Sequence, residues 1–207
     1  MRLPVLTLLL LGYSGLSAAI FATEWQAFSF DGQQPKFGFR PGPLSLAANH
    51  NILRKCDALM TAPLALFQPE IDLQKTAASC ADIATRVTSW MPTHGFAHFV
   101  SAQSAHHLGD TTAREMSLDL SQQYSPFEGW LAQRRFSLIS DQPQAWNAAF
   151  QFDISTMLTT QTGAELLANF YVFKPQTRTV LTETAASSLG RNQTRFLNQL
   201  QQRQANK

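Results

Sequence analysis

Residues 92–126 read PTHGFAHFVSAQSAHHLGDTTAREMSLDLSQQYSP and predict two consecutive helices joined by a tight turn. The first helix runs from about Gly95 to Leu108, because apolar and small residues recur there with the helical period. Gly109 stands where the end of a helix favours a residue with a left-handed backbone. Thr111 or Thr112 then caps the second helix, so this stretch forms a helical hairpin.

The same helical period continues on both sides of this hairpin, and it predicts an all-α fold over residues 44–204. Pro63 and Pro69 separate two amphipathic helices that precede the hairpin, and Pro126 opens a helix that follows it. Further helices are expected at about 144–158, 163–173, 176–187 and 189–203. Short turns between them indicate antiparallel helical hairpins.

The N-terminus carries a separate hydrophobic segment, residues 1–22. Residues 3–22 have no charge and would form roughly 30 Å of helix, which matches the apolar thickness of a bilayer. The segment is therefore either an uncleaved membrane anchor or a signal peptide cut after Ala19 or Ala22. Residues 23–43, which are rich in glycine, proline and phenylalanine, predict an extended linker.

The composition limits the classes of function. The chain has 207 residues, and removal of the first 22 leaves enough for one domain with its own core. A net charge of +2 without a basic run excludes the electrostatic footprint of a nucleic-acid-binding protein. Glycine-rich phosphate or dinucleotide loops and the GxSxG motif are absent from the sequence, so we expect neither a cofactor nor catalysis.

Two cysteines in an exported chain predict a disulfide bond between Cys56 and Cys80. Both lie on the apolar stripes of consecutive helices and so point into one seam. If those helices end near Thr61 and begin near Glu70, the cysteines differ in level by roughly 7.5 Å along the axes. A short helical continuation through residues 64–67 would remove that difference. The alternative is a pair of buried free thiols.

Histidines and acidic residues raise two further possibilities. His94 and His98 have the i, i+4 spacing of metal ligands, but Gly95 replaces the glutamate of the metalloprotease motif, so we expect no metal site. Acidic residues on the helices favour a solvated surface, with paired glycosidase carboxylates as the alternative; these residues are Glu115, Asp119 and Glu128. Arg134 and Arg135 predict a surface pair near a helix end, or else an anion or partner contact.

The hairpin resembles a tetratricopeptide unit. Pro92 and Pro126 are 34 residues apart, Ala97 and Ala102 take small-residue positions, and the turn falls at Gly109. The alternative is an irregular helix bundle. The tetratricopeptide register implies a groove that binds a protein partner, lined by Phe96, Phe99, Gln103, His106, His107, Trp130 and Gln133.

The whole layout is similar to small, membrane-anchored helical accessory proteins of bacterial surface-polysaccharide assembly. The hydrophobic segment, the cysteine pair, PTHGFAH at 92–98, LGD at 108–110 and PFEGWLAQRR at 126–135 carry this resemblance. It implies a non-catalytic scaffold or adaptor on the periplasmic side of the inner membrane, held through residues 3–22. Two other functions stay open. One is a periplasmic glycan hydrolase, and the other is a structural oligomer formed through the glutamine-rich helix at 189–203.

Overall fold

The structure is a computed structural model that describes residues 3–29, 45–61, 64–142 and 148–205, apart from the side chains of 3–10, 23, 26–29, 64, 66 and 148. All regular secondary structure in these ranges is helical, which confirms the all-α prediction. The chain folds into two compact units, Met1–Arg114 and Glu115–Lys207. The single domain over residues 44–204 stays a prediction.

In its described residues, the first unit has four complete α-helices and one 3-10 turn. In chain order they are α1 (Leu3–Ser29), α2 (Leu46–Met60), the turn Leu64–Phe67, α3 (Glu70–Trp90) and α4 (Gly95–His107). Helix α2 packs against α1, α3 and α4, and its inward face repeats every four residues through Ala48, Ile52, Cys56 and Met60. The core of this unit therefore lies around α2.

Helix α1 extends seven residues into the range predicted as a linker, and residues 30–43 of that range lie outside the described part of the chain. Within the described residues, no helix has both the length and the apolar character that a membrane span requires.

The structure joins Cys56 and Cys80 in a disulfide, as predicted, with the Cα atoms 5.7 Å apart. Both residues are fully buried, on facing sides of α2 and α3. The two helices end and begin where the sequence predicted, and the 3-10 turn Leu64–Phe67 supplies the short helical continuation between them.

The turn after α4 has the predicted left-handed glycine, since Gly109 has φ +76°. The Asp110 N–H donates to the Ala105 carbonyl at 2.9 Å, and the Gly109 N–H donates to the His106 carbonyl at 3.2 Å, which together form a Schellman motif. Asp110 also caps α5, because its Oδ1 accepts from the Ala113 N–H. The prediction of a threonine cap was therefore wrong. A carboxylate one residue earlier takes that role.

The second unit begins inside α5 (Thr111–Tyr124), and its described residues continue through five more α-helices and a 3-10 turn. These are α6 (Gly129–Ile139), α7 (Ala148–Leu158), α8 (Gln161–Phe173), the turn Pro175–Thr177, α9 (Arg178–Ser187) and α10 (Gly190–Ala205). Residues 143–147, where the sequence predicted the start of α7, lie outside the described residues.

An aromatic cluster forms part of the core of the second unit. The ring of Phe136 stacks on Phe150 at 5.0 Å and meets Phe170 edge-to-face at 4.9 Å. The turn from α7 to α8 is so tight that a Cβ atom on Gly163 would lie 2.2 Å from the Met157 carbonyl oxygen. The sequence therefore needs glycine there for packing, not for an unusual backbone conformation.

Candidate functional site

Five of the seven predicted partner-binding residues lie on α4, and the structure turns three of them into the protein. Phe96 and Phe99 are buried, with their ring centroids 6.3 Å apart. Gln103 is buried as well, and its Nε2 donates to Thr61 Oγ1 at 3.0 Å. The predicted groove is corrected accordingly, since these side chains belong to the interior of a packed unit.

Side chains at the end of α4 and just before α3 donate to the carbonyl groups at the end of α2. His107 Nε2 donates to the Met60 carbonyl at 2.8 Å, and Gln68 Nε2 donates to the Leu59 carbonyl at 3.4 Å. The last carbonyls of a helix lack partners within the helix, so such donors stabilise its end. Burial, followed by the charges of His107 and Arg114, lowers the pKa of His106 below its usual value.

The other two histidines that the sequence singled out hold the start of α4. His94 Nδ1 accepts from the Ala97 N–H at 3.1 Å and so caps the helix, while His98 Nε2 donates to the Pro92 carbonyl at 2.7 Å. Among the described residues, no three His, Cys, Asp or Glu side chains lie close enough together to hold a metal ion.

Trp130 and Gln133, the remaining predicted partner-binding residues, lie on α6 in the second unit. Trp130 keeps 45% of its surface exposed, and Gln133 is half-buried. Phe127, just before α6, is also exposed and meets the ring of Phe152 edge-to-face at 5.6 Å. An aromatic surface therefore exists near α6.

Arg135 was expected at the surface but is buried against α7, which corrects the prediction of a surface arginine pair. Its Nε and Nη2 donate to both carboxylate oxygens of Asp153, at 2.8 and 2.6 Å. Burial raises the pKa of Asp153 above its usual value, and the hydrogen bond and charge of Arg135 oppose that rise.

A small acidic cavity adjoins this ion pair, and it bears on the glycan-hydrolase alternative. Glu115, Asp119 and Asp153 contribute to its lining, but its volume is about 30 Å³. That volume accommodates a water molecule and not a sugar ring. Arg135 donates to both oxygens of Asp153 and so fixes this carboxylate at the wall of the cavity.

A larger open cleft of about 730 Å³ lies between α1 and α2. On the α1 side, the exposed rings of Phe21 and Trp25 stack with their centroids 6.4 Å apart. On the α2 side, Arg54 and Lys55 line the cleft. Glu24 is also in the lining and accepts a hydrogen bond from Ser45 Oγ, which ties α1 to the start of α2.

Comparisons with protein families, curated proteins and solved structures found no match. The function must therefore be inferred from the geometry of the chain's own residues.

Sequence reasoning missed the two cationic residues of this cleft. Arg54 and Lys55 occupy the outward face of α2, where charged residues are ordinary, so their sequence positions gave no indication of a site. Their significance comes only from the packing of α2 against the last turns of α1.

Proposed function

We propose that the protein is an exported helical scaffold that is held at a membrane surface through its first unit. The observation that carries this proposal is the exposed Phe21–Trp25 stack beside Arg54 and Lys55. Aromatic rings and long cationic side chains are the groups that proteins place at the boundary between lipid tails and headgroups.

The position of these residues along α1 fits that boundary. Residues 3–22 carry no charge, and Glu24 and Trp25 follow two and three residues after them. An aromatic ring between an apolar segment and charged side chains is typical of the headgroup region of a membrane. Phe21 is 68% exposed and Trp25 is 59% exposed, so both rings are available to lipid.

The charges of α2 complement an anionic lipid surface. Each lysine or arginine near such a surface contributes about 1 kcal/mol, and salt weakens the attraction. Arg54 and Lys55 are adjacent in sequence and line the same cleft as the aromatic pair. We infer that apolar and electrostatic contributions to membrane binding act on the same side of the first unit.

The disulfide and the second unit support the remainder of the proposal. Disulfides persist in oxidising compartments, so the Cys56–Cys80 bond fits an exported domain on the periplasmic side of the inner membrane. We propose Phe127 and Trp130 as the contact for a protein partner, since exposed aromatic side chains dominate binding energies at interfaces. A place in envelope polysaccharide assembly or export rests on the sequence resemblance alone.

Fluorescence quenching by brominated lipids tests the membrane contact directly. Two full-length variants are compared in vesicles that contain anionic lipid, one keeping only Trp25 and the other only Trp90, with phenylalanine at the remaining tryptophans. Trp90 is a matched control because it is 58% exposed and lies on α3 of the same unit.

We expect lipids brominated near the headgroup to quench Trp25 strongly and Trp90 weakly. Replacing Arg54 and Lys55 with glutamine should reduce the Trp25 quenching at low salt and change it little at high salt. Equal quenching of the two tryptophans, or none of either, would exclude the proposed membrane surface.

A further inference from the structure

A second open cleft lies within the second unit, between the first turn of α8 and one face of α10. Its volume is about 480 Å³, which falls in the range of small-molecule sites. Apart from Thr194, its lining consists of two arginines and four carboxamide side chains, namely Arg191, Arg195, Gln161, Asn198, Gln199 and Gln202. Both ionisable residues of this lining are therefore cationic.

The register of α10 places these side chains on one face. Arg191, Arg195, Gln199 and Gln202 follow at intervals of four, four and three residues, which is the spacing of a single helical stripe. Phe196 is buried and meets the ring of Tyr171 on α8, so the helix is fixed in rotation. The stripe is consequently a defined surface on a packed helix.

The arginines keep hydrogen-bond donors for a ligand. Arg195 is held in place through Nη1, which donates to the Leu158 carbonyl at 2.7 Å and to Asn192 Oδ1 at 3.3 Å. Its Nε and Nη2 groups make no hydrogen bond with the described residues, and the same holds for the exposed guanidinium of Arg191. A guanidinium presents its donors in a planar fork that matches carboxylate and phosphate oxygens.

Gln199 adds a third, less exposed polar group to this lining. The residue is 7% exposed, and its side chain makes no hydrogen bond with any residue in the described ranges. Its carboxamide atoms are not among the fully buried polar atoms that lack a partner there, so they reach the open space of the cleft and can contact a ligand in it. A carboxamide both donates and accepts, and a hydroxyl group does the same.

We propose that this cleft binds a small polyhydroxylated anion, in which one carboxylate or phosphate group is flanked by hydroxyl groups. The oxyanion contacts Arg191 and Arg195, and the hydroxyl groups exchange hydrogen bonds with Gln199 and the neighbouring carboxamides. Sugar acids and sugar phosphates share this chemistry. The site is independent of the membrane surface proposed for the first unit.

Isothermal titration of the full-length protein in detergent tests this site with four probes at constant ionic strength: glucuronate, glucose 6-phosphate, glucose and inorganic phosphate. We expect saturable binding of glucuronate, glucose 6-phosphate or both, and binding at least about tenfold weaker for glucose and phosphate, because each lacks one half of the recognised group. The two anionic sugars distinguish a carboxylate from a phosphate ligand.

Arg191→Gln should weaken binding by about tenfold or more, and R203Q on the same helix is the matched control. Arg203 pairs with Glu165 at 2.6 Å and does not line the cleft, so R203Q makes the same change in charge without touching the site. Q199L should also weaken binding while leaving the helix content measured by circular dichroism unchanged.

Three results would overturn the proposal. They are the absence of saturable binding by either anionic sugar, an equal loss of affinity in R203Q, and a dimer in light scattering that R191Q dissociates. The last result would assign the face to a second copy of this chain.

Discussion

Removing Asp153 should destabilise the second unit more than removing any exposed acidic residue, because Arg135 would lose its counterion in the interior. Arg135 is 2% exposed and is the largest fully buried side chain among the described residues. Its guanidinium also donates to the carbonyls of Ser121 and Ser125 at 3.4 and 3.3 Å, so it ties the end of α5 to α6 and α7.

The expected magnitude follows from the burial of the pair. Breaking a buried ion pair by removing one partner typically costs about 3–5 kcal/mol, so D153A should lower the free energy of unfolding by that amount. The double variant R135M/D153L buries no charge and should recover at least roughly half of the loss. The rest should persist, because the Ser121 and Ser125 carbonyls lose donors worth about 1 kcal/mol each.

The pH dependence of R135M provides a second measurement of the same pair. Burial raises the pKa of Asp153 in the folded protein above its value in the unfolded chain. The stability that this shift contributes is therefore present at low pH and is lost as the pH rises through the pKa of the folded protein. Without the guanidinium the pKa should rise further. The loss of stability in R135M should therefore be smaller at pH 4–5 than at pH 8.

Hydrogen exchange of the amides in α5, α6 and α7 during urea titration is the appropriate assay. The chain forms two compact units, so an assay that reports on individual helices assigns the loss of stability to the second unit. The matched control is D141A, which removes the exposed partner of Lys174 in the same unit and should cost less than about 1 kcal/mol. If D153A costs no more than D141A, the buried pair does not anchor these helices.

Three further predictions concern other parts of the chain. Gly163→Ala should lower the free energy of unfolding in urea by about 1–3 kcal/mol, because the new methyl group would overlap the Met157 carbonyl. G190A is the control and should be nearly neutral, since a Cβ atom there would have no neighbour within 4 Å. Opening the disulfide with a reductant should cost roughly 3.5 kcal/mol in the chain-entropy model, and a thermal midpoint that reductant does not change would contradict this. The pKa of His106 is lower in the folded protein than in the unfolded chain, so the unfolded chain takes up a proton first as the pH falls. The free energy of unfolding should therefore decrease as the pH drops below about 6.5. Thermal melts of H106Q between pH 7.5 and 5 should show a smaller decrease than those of the unmodified protein.

The helices and their connections could be predicted because the information for them is local. The spacing of Ile52 and Cys56 on α2 and of Ala77 and Cys80 on α3 records which face of each helix is buried. Gly109 likewise marks a backbone conformation that few other residues adopt. The disulfide followed from the same faces, since two cysteines on facing stripes need only the correct level.

The roles of the polar residues could not be predicted in the same way. Gln103 and His107 have the spacing of groove residues, and Arg135 has the appearance of a surface cation, yet all three donate to other parts of the chain. Several of their acceptors are backbone carbonyls, which every residue carries. The sequence pattern therefore does not distinguish a side chain that donates a hydrogen bond to a distant helix end from one that donates to a ligand.

A common pattern connects these donors, because the ends of several helices accept hydrogen bonds from side chains that lie beyond those helices in the sequence. His107 donates to the end of α2, Arg135 to the end of α5, Arg195 to the end of α7 and Arg178 to the end of α8. Helix ends need such donors, and they also attract positive charge through the helix dipole. A cation that donates to a helix end has a structural role there, and Arg195 combines that role with a place in the cleft between α8 and α10. Arg191 lines the same cleft and makes no hydrogen bond with the described residues. R191Q is therefore the variant that separates a ligand contact from the support of a helix end.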